Sequence, residues 1–214
     1  LAQNFWSVTF DGLTFGAIYA LVALGYTLVY GVLNLINFAH SEVFISGAYA
    51  CVFTLSAFGF GPSPLVMSWG LLIFYLIISC LAAMAASAIV AFLLERIAYK
   101  PLRTRNGSRL AFLITAIGAS FAIQYVIYLW RGATAEPAII MFVPQQVFTV
   151  FGTVVDSQQV LIVCAAVLMM ALTDQFVRRT RLGRGIRAVA QNPDTATLMG
   201  VDKERIIMTT FLIG

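Results

Sequence analysis

The distribution of charge is the feature that most constrains what this chain can fold into. Between Gly12 and Leu94 the only charged side chain is Glu42, and no lysine or arginine precedes Arg96. About 25% of the residues of a soluble domain are charged, whereas this chain has 10% charged and 61% hydrophobic residues. In lipid every backbone polar group must be paired within the protein, so only helices and closed barrels span a membrane. Long unbroken apolar runs therefore predict an all-α, polytopic transmembrane helix bundle.

The apolar runs give the number of expected spans, because a spanning helix needs about 20 apolar residues. Five runs approach or exceed this length, and we expect each to be a full span: 12–31, 41–59, 68–94, 110–130 and 160–177. A sixth run opens at Ile206 and has nine residues, which rise only about 14 Å as a helix. We therefore expect a truncated sixth span, and a single transmembrane domain over 1–214 that is incomplete at its C-terminal end.

The basic residues predict the orientation of these spans. Twelve of the thirteen lie in two clusters: Arg96, Lys100, Arg103, Arg105 and Arg109, then Arg178, Arg179, Arg181, Arg184, Arg187, Lys203 and Arg205. Because basic loops stay in the cytoplasm, we expect 95–109 and 178–205 inside, and 131–157, which contains Glu136, outside. The N-terminus is then external and 32–40 cytoplasmic. Since 32–40 lacks a basic residue, the alternative is that one of the first two runs is re-entrant or broken within the bilayer.

Several functional classes are not expected from this sequence. The net charge of +4 lies beside the spans and does not form the coherent basic face of a nucleic-acid-binding protein. One histidine, with three cysteines inside apolar runs, makes a metal site unexpected. No GxxxxGK[ST] phosphate loop and no nucleophile with an adjacent base occur. We therefore expect a transporter subunit that is not an enzyme and binds no cofactor, with any ATP and Mg bound by partner ATPase subunits.

The first candidate functional residues lie between the first two runs, where Asn37, His40 and Glu42 occur within six residues. An ionisable residue inside a membrane domain is costly and is by default a functional hypothesis. We predict that these three residues lie at the solute path or its gate. The structural alternative is that they tie helices together through hydrogen bonds. Asn37 or Ser41 is the expected N-cap of the second run, and the helix dipole favours Glu42 near that end.

The second candidate region is 178–205, which carries both charge and helix-boundary signals. Asn192 is a good N-cap, Pro193 suits the first helical position and Gly200 suits the C-terminal stop. These signals predict a short helix over 193–199, after which Asp202 caps the next span. A folded loop of this kind is typical of a docking surface for a partner. The alternative is a loop that faces anionic lipid headgroups, which also attract juxtamembrane basic residues.

Four stretches of the chain read GLTFGAIYAL at 12–21 with GYTLVYG at 25–31, NFAHSE at 37–42, ERIAYKPLR at 95–103 with AIG at 116–118, and LGRGIRA at 182–188 with LMGVD at 198–202. These stretches resemble the permease subunits of bacterial high-affinity branched-chain amino-acid ABC transporters. They cover nearly the whole chain in the order found in that family. One departure is Ser41, where the family usually has glycine, and the added side chain puts the family geometry of that turn in doubt.

The resemblance implies an inner-membrane permease that works with several partners. These are a second homologous permease, two cytoplasmic ATPase subunits and an extracytoplasmic solute-binding protein, all acting in a lipid bilayer without nucleic acid. It also implies that 178–205 is the ATPase-coupling loop. The residues carried over to this role are Gly183, Arg184, Arg187, Ala188, Asn192, Leu198 and Gly200.

Three other functions remain open at this point. The same type of ABC permease serves urea or short amides in related proteins, although the stretches at 99–103 and 116–118 look closer to the amino-acid branch. An ion-coupled carrier or channel would use Glu42 as a proton-coupling carboxylate. A membrane enzyme is disfavoured because the sequence shows no catalytic set.

Overall fold

The described residues of this computed structural model are 2–63, 68–132, 139–141, 146–150 and 153–214. Glu136, assigned above to an external segment, lies outside them. The elements begin with helix α1, Ala2–Leu33, and α2, His40–Ala57. A continuous helical rod follows, made of α3 (Trp69–Leu94), a π-helical turn (Glu95–Tyr99) and α4 (Lys100–Thr104). After α5 (Arg109–Arg131) come strands β1 (Gln146–Val150) and β2 (Thr153–Asp156), then α6 (Ser157–Arg179), α7 (Arg181–Gln191), α8 (Pro193–Leu198) and α9 (Lys203–Ile213).

Within these described ranges, four helical segments are long and apolar enough to cross a membrane. They are Phe5–Leu33, Trp69–Thr104, Arg109–Arg131 and Ser157–Arg179. The helical bundle predicted from the sequence is therefore confirmed, while the count of five full spans stays a prediction. The predicted span at α2 is not among the four segments, because α2 is 18 residues long and starts with His40, Ser41 and Glu42, polar residues that lower its mean hydropathy.

The rod Trp69–Thr104 has 36 residues, which rise about 54 Å and exceed the hydrocarbon thickness of about 30 Å. Its π-helical turn ends at Tyr99, two residues before Pro101. A proline within a helix clashes with the carbonyl four residues earlier, here that of Ile97. The wider π-helical turn moves the carbonyl away from the proline ring, so the helix can continue past Pro101. The rod therefore remains helical to Thr104, and Lys100 and Arg103 lie in its last turns.

The described residues group into two compact units, each with its own contacts. One unit comprises the described residues within Leu1–Val32, Val143–Ile206 and Gly214, and the other comprises those within Leu33–Phe142 and Ile207–Ile213. In the second unit α2 packs closely on α3, because Gly47 lets the backbones approach: a Cβ at this position would lie 3.2 Å from the Ala83 carbonyl oxygen and would overlap the Ser87 hydroxyl. The Ser87 hydroxyl also donates to the carbonyl of Val43 at 3.2 Å.

The first unit contains an element that the sequence pattern did not predict. Strands β1 and β2 pair antiparallel, with Thr149 opposite Val154 and Gln146 opposite Asp156, and the register is irregular between Gln146 and Phe148. Asp156 then starts α6 with a capping box, in which its side chain accepts from the backbone at Gln159 and the Gln159 side chain accepts from the backbone N–H of Asp156. The amide of Gln159 also donates to Asp11 of α1 at 2.7 Å.

Candidate functional site

The first candidate site is built around Glu42, in the first turn of α2. Its side chain is buried, with 8% exposure, and its Oε1 accepts a hydrogen bond from the Ser120 hydroxyl at 2.7 Å. Its other oxygen, Oε2, is buried and has no hydrogen-bond partner among the described residues. Leaving a buried polar atom unpaired costs about 1–3 kcal/mol, and more for a charged group. An orphaned carboxylate oxygen of this kind therefore indicates a missing donor.

A cavity of about 230 Å³ opens beside this carboxylate, between α2 and α5. It is lined by Glu42, Ile45, Tyr49, Gln124, Ile127, Tyr128 and Gly132. Among these lining residues Glu42 is the only charged side chain, and four of the other six are isoleucines and tyrosines. We call this space the α2–α5 cleft. It combines an apolar body with a few polar atoms, the composition typical of a small-molecule site.

Ser120 fixes the depth of the cleft along α5. It is the central residue of Arg109–Arg131, with eleven residues on each side, or about 16 Å of helix in each direction. Glu42 therefore lies at the mid-depth of this candidate span while occupying the first turn of its own helix. Helices that begin inside a membrane protein direct their positive dipole ends at bound groups, as at the midplane sites of transporters.

Asn37 belongs to a second polar cluster, next to the start of α2. Its side-chain Oδ1 accepts from the backbone N–H of Ala39 at 3.1 Å and from the hydroxyl of Tyr99 at 2.7 Å. Ala39 is the N-cap of α2 and makes no side-chain cap hydrogen bond. The expectation that Asn37 or Ser41 caps this helix is therefore wrong. The reason is that the Asn37 amide closes a local turn and binds Tyr99 instead.

Tyr99 joins this cluster to the aromatic core of its unit. Its ring stacks on Phe112 at 6.2 Å between centroids and tilts against Phe211 at 5.4 Å. His40 is buried at the first position of α2, with 7% exposure, and its backbone N–H donates to the carbonyl of Asn37 at 3.2 Å. Of the three residues predicted for the path, the structure thus brings Glu42 to the cleft and leaves Asn37 and His40 outside its lining.

A buried ion pair lies in the same unit, around the π-helical turn. Arg103 donates to Glu95 at 2.7 Å, with side-chain exposures of 14% and 1%. The two residues are eight positions apart. This pairing was not predicted from the sequence, in which Arg103 is one of the basic residues that orient the spans. Ser120 and Gln124 were missed as well, although a polar pair four residues apart in an apolar span is itself a signal of a shared inward face.

The second candidate region is 178–205, which we call the basic segment, and it is more helical than predicted. Helix α7 was not foreseen, and it packs on the end of α6 through Gly183, where a Cβ would lie 2.6 Å from the Phe176 carbonyl oxygen and still nearer that of Val177. The Arg187 guanidinium donates to the same Val177 carbonyl. Arg184 is exposed and Ala188 is half-buried. Gly183 is therefore buried against the end of α6, whereas Arg187 binds that end and stays exposed.

The helix boundaries predicted for the basic segment are confirmed. The Asn192 side chain accepts from the backbone N–H groups of Asp194 and Thr195, both at 3.0 Å. Helix α8 follows as Pro193–Leu198. Gly200 has a φ of +84°, a conformation that suits glycine at a helix end. Asp202 then accepts from the backbone N–H of Arg205 at 3.1 Å, at the start of α9.

The end of α8 presents an exposed apolar surface. Leu198 is 87% exposed and Met199 is 81% exposed. Beside them is an open cavity of about 510 Å³, lined by Asp194, Thr197, Leu198, Val201, Asp202, Lys203 and Glu204. Two large apolar side chains rimmed by charges, on a short and well-capped helix, are the composition of a protein-contact surface.

Within the described part of the chain, no group of three histidine, cysteine or carboxylate side chains is placed to hold a metal ion. Comparison with known proteins identifies a family. Residues 8–214 match the family described as the branched-chain amino acid transport system permease component. No solved structure matches the chain.

Individual relatives agree with this match. The high-affinity branched-chain amino acid transport system permease protein BraD of Pseudomonas aeruginosa is 39% identical over 95% of the chain. The corresponding protein LivH of Escherichia coli is 34% identical over 96%. A probable branched-chain amino acid transport permease protein LivH of Methanocaldococcus jannaschii is 28% identical over 91%. The chain spans 65% of the length of the first two relatives and 58% of the third. From the match over residues 8–214, this chain belongs to the family of branched-chain amino acid transport permease components.

Proposed function

We propose that this chain is the membrane subunit of an ATP-driven importer for branched-chain amino acids, located in the bacterial plasma membrane. The observation that carries the proposal is the family match over residues 8–214, together with relatives whose names specify branched-chain amino acid transport. The four long apolar helical segments agree with a subunit that forms a solute pathway. The role of this chain is transport. Partner subunits bind ATP with Mg and hydrolyse the ATP.

Asn37, His40 and Glu42 are proposed to lie at the solute path or its gate. Support comes from their burial and from the cavity that Glu42 lines. The hydrogen bond from Tyr99 to Asn37 links the entry of α2 to the rod Trp69–Thr104. A movement of that rod would therefore shift Asn37 and the start of α2 through this hydrogen bond. This linkage gives a physical route by which a change in one helix alters access to the cleft.

The basic segment is proposed as the docking surface for an ATPase subunit on the cytoplasmic side. Leu198 and Met199 supply exposed apolar area, while the caps at Asn192 and Gly200 hold their helix in one conformation. A rigid contact element transmits movement without losing it to local disorder. The complete transporter would contain a second homologous permease, two ATPase subunits and an extracytoplasmic solute-binding protein.

The test is uptake into proteoliposomes that contain the full-length permease, its partner permease and the ATPase subunits. The binding protein and labelled leucine are supplied outside, with and without ATP inside. We expect ATP-dependent leucine uptake that isoleucine and valine compete and urea does not. ATP-dependent uptake of urea or an amide without leucine uptake would contradict the substrate. Uptake that ignores ATP and follows a proton gradient would contradict the importer and favour an ion-coupled carrier.

A further inference from the structure

The α2–α5 cleft contains a buried carboxylate whose one oxygen is paired and whose other oxygen has no hydrogen-bond partner among the described residues. We propose that the free oxygen, Oε2 of Glu42, binds the ammonium group of the amino-acid solute during its passage. This inference rests on the proposed function, because it names the contact that an amino acid makes inside the permease. It also assigns a specific contact with the solute to a residue that the proposed function places only at the path or its gate.

The geometry points to a cationic donor for Oε2. Oε1 accepts from Ser120 at 2.7 Å, which holds the carboxylate in one orientation and leaves Oε2 buried without a partner among the described residues. No lysine, arginine or histidine lines the cleft, so no residue of its lining neutralises the charge. Charge-assisted hydrogen bonds are about twice as strong as neutral ones. An ammonium group supplies both a positive charge opposite the carboxylate and an N–H donor for Oε2.

The rest of the lining fits the remainder of a branched-chain amino acid. Ile45 and Ile127 offer apolar contact, and the rings of Tyr49 and Tyr128 present large apolar faces with a polar tip. The side-chain amide of Gln124 has two N–H donors, which match the solute carboxylate. A cavity of about 230 Å³ is below the range of about 300–1,000 Å³ typical of drug-sized ligands. The cleft is therefore sized for one small solute.

A bare metal cation fits the cleft less well. Calcium takes six to eight oxygen ligands and magnesium requires near-ideal octahedral geometry, whereas a single carboxylate lines this space. An apolar lining also contributes nothing to a hydrated ion. A zwitterion with a hydrocarbon side chain uses the carboxylate, the amide and the apolar walls together.

The first test measures binding of labelled leucine to the intact permease pair in lipid nanodiscs, without the binding protein. Competitors are 3-methylbutylamine, which keeps the ammonium, and 4-methylpentanoate, which keeps only the carboxylate. We expect the amine to compete and the acid to fail. We expect Glu42→Gln, which retains an acceptor for Ser120, to weaken leucine binding by at least about tenfold, since hydrogen bonds to charged groups contribute more than neutral ones. The matched control Asp174→Asn, at an exposed carboxylate of α6, should bind as the unmodified protein does.

A second test needs no variant and so does not depend on folding of Glu42→Gln. The unmodified permease is treated with a hydrophobic carbodiimide, and the modified carboxyl groups are located by mass spectrometry. Leucine should protect Glu42 and leave the labelling of exposed carboxyl groups unchanged. Protection of Glu42 by sodium or by 4-methylpentanoate, with no protection by leucine, would overturn the proposal.

Uptake into the proteoliposomes described above, measured beside binding in nanodiscs, separates this inference from the proposed function. ATP-dependent leucine uptake by the unmodified transporter, combined with full leucine binding by Glu42→Gln, would refute the Glu42 contact and keep the importer. Absence of measurable leucine binding in the unmodified permease would also count against the contact. Absence of ATP-dependent leucine uptake would refute the proposed function itself.

Discussion

The helices around α2 and the basic segment satisfy their polar side chains in opposite ways. In the first region the partners are far apart in sequence: Asn37 pairs with Tyr99 across 62 residues and Glu42 with Ser120 across 78. In the second, Asn192 caps backbone groups only two and three residues further on. Buried polar groups in a membrane cannot hydrogen-bond to water, so they pair with polar groups on neighbouring helices. In a solvated segment, side chains hydrogen-bond to backbone groups a few residues away in sequence.

This difference predicts how each region responds to substitution. Removing one partner between helices leaves the other buried and unpaired, so the loss includes a desolvation cost. Removing a local cap exposes backbone groups that water then satisfies, so the loss is smaller. Changes in the helix bundle should therefore lower overall stability, and changes in the basic segment should act locally.

The largest effect is expected from Arg103→Ala. Glu95, its partner at 2.7 Å, is 1% exposed, so the substitution leaves a buried carboxylate without its counter-charge. Breaking such a pair costs about 3–5 kcal/mol. The expected result is a marked fall in the thermal unfolding midpoint of the purified permease, measured by a fluorescence thermal-shift assay.

The first residue of the basic segment, Arg178 at the end of α6, supplies the matched control for Arg103. Arg178 pairs with Asp174 at the same distance of 2.7 Å, but the two side chains are 74% and 57% exposed. Arg178→Ala should cost roughly 0–1 kcal/mol. Equal shifts for the two variants would show that burial does not separate the two regions as argued.

The next effect is expected from Gly183→Ala, at the junction of α6 and α7. The added methyl would meet the carbonyl oxygens of Phe176 and Val177, which are backbone atoms and cannot rotate away. Overpacking of this kind costs about 1–3 kcal/mol. Hydrogen exchange should show α7 losing protection while α2 and α5 keep theirs.

Gly118 of α5 provides the control for this substitution. A Cβ there meets nothing within 4 Å, and alanine is a better helix former than glycine by about 1 kcal/mol. Gly118→Ala should therefore leave stability unchanged or raise it. A loss at Gly118 as large as that at Gly183 would contradict the steric explanation.

The same contrast explains which parts of the structure could be predicted from sequence. The run 110–130 predicted α5, found at Arg109–Arg131, and the signals at Asn192 and Gly200 predicted α8. Both rest on composition or on contacts within a few residues. Ser120 and Tyr99 as partners of Glu42 and Asn37 depend on which helix faces which, and no local pattern in one sequence encodes that.

Other misses have physical reasons of the same kind. The cap of α2 was assigned to Asn37 or Ser41 because both are good capping residues, but Tyr99 competes for the Asn37 oxygen. The π-helical turn at Glu95–Tyr99 falls inside a run that reads as an ordinary helix. The hairpin of β1 and β2 is short and lies between spans, where apolar periodicity gives no signal.

A smaller effect is expected from Asn192→Ala. The substitution removes the acceptor for the backbone N–H groups of Asp194 and Thr195, which costs about 1 kcal/mol. Exchange of these two amides should accelerate, while the unfolding midpoint of the whole permease barely moves. Asn192→Asp, which keeps an acceptor oxygen, should restore protection. A fall in overall stability that Asn192→Asp does not restore would mean that Asn192 has a tertiary role.

The smallest effect on stability is expected from Leu198→Ser. The leucine side chain is 87% exposed, so its removal forfeits little packing, and substitutions at such positions usually change stability by less than about 0.5 kcal/mol. Its apolar surface is nevertheless the part of the basic segment best placed to contact a partner. We therefore expect unchanged thermal unfolding together with weaker retention of the ATPase subunits in a pull-down and slower ATP-dependent uptake. Thr9→Ser, at an exposed position of α1, should leave both properties unchanged. If Leu198→Ser retains the ATPase and full uptake, the exposed end of α8 is not the docking surface, and the basic segment differs from the helix bundle in stability alone.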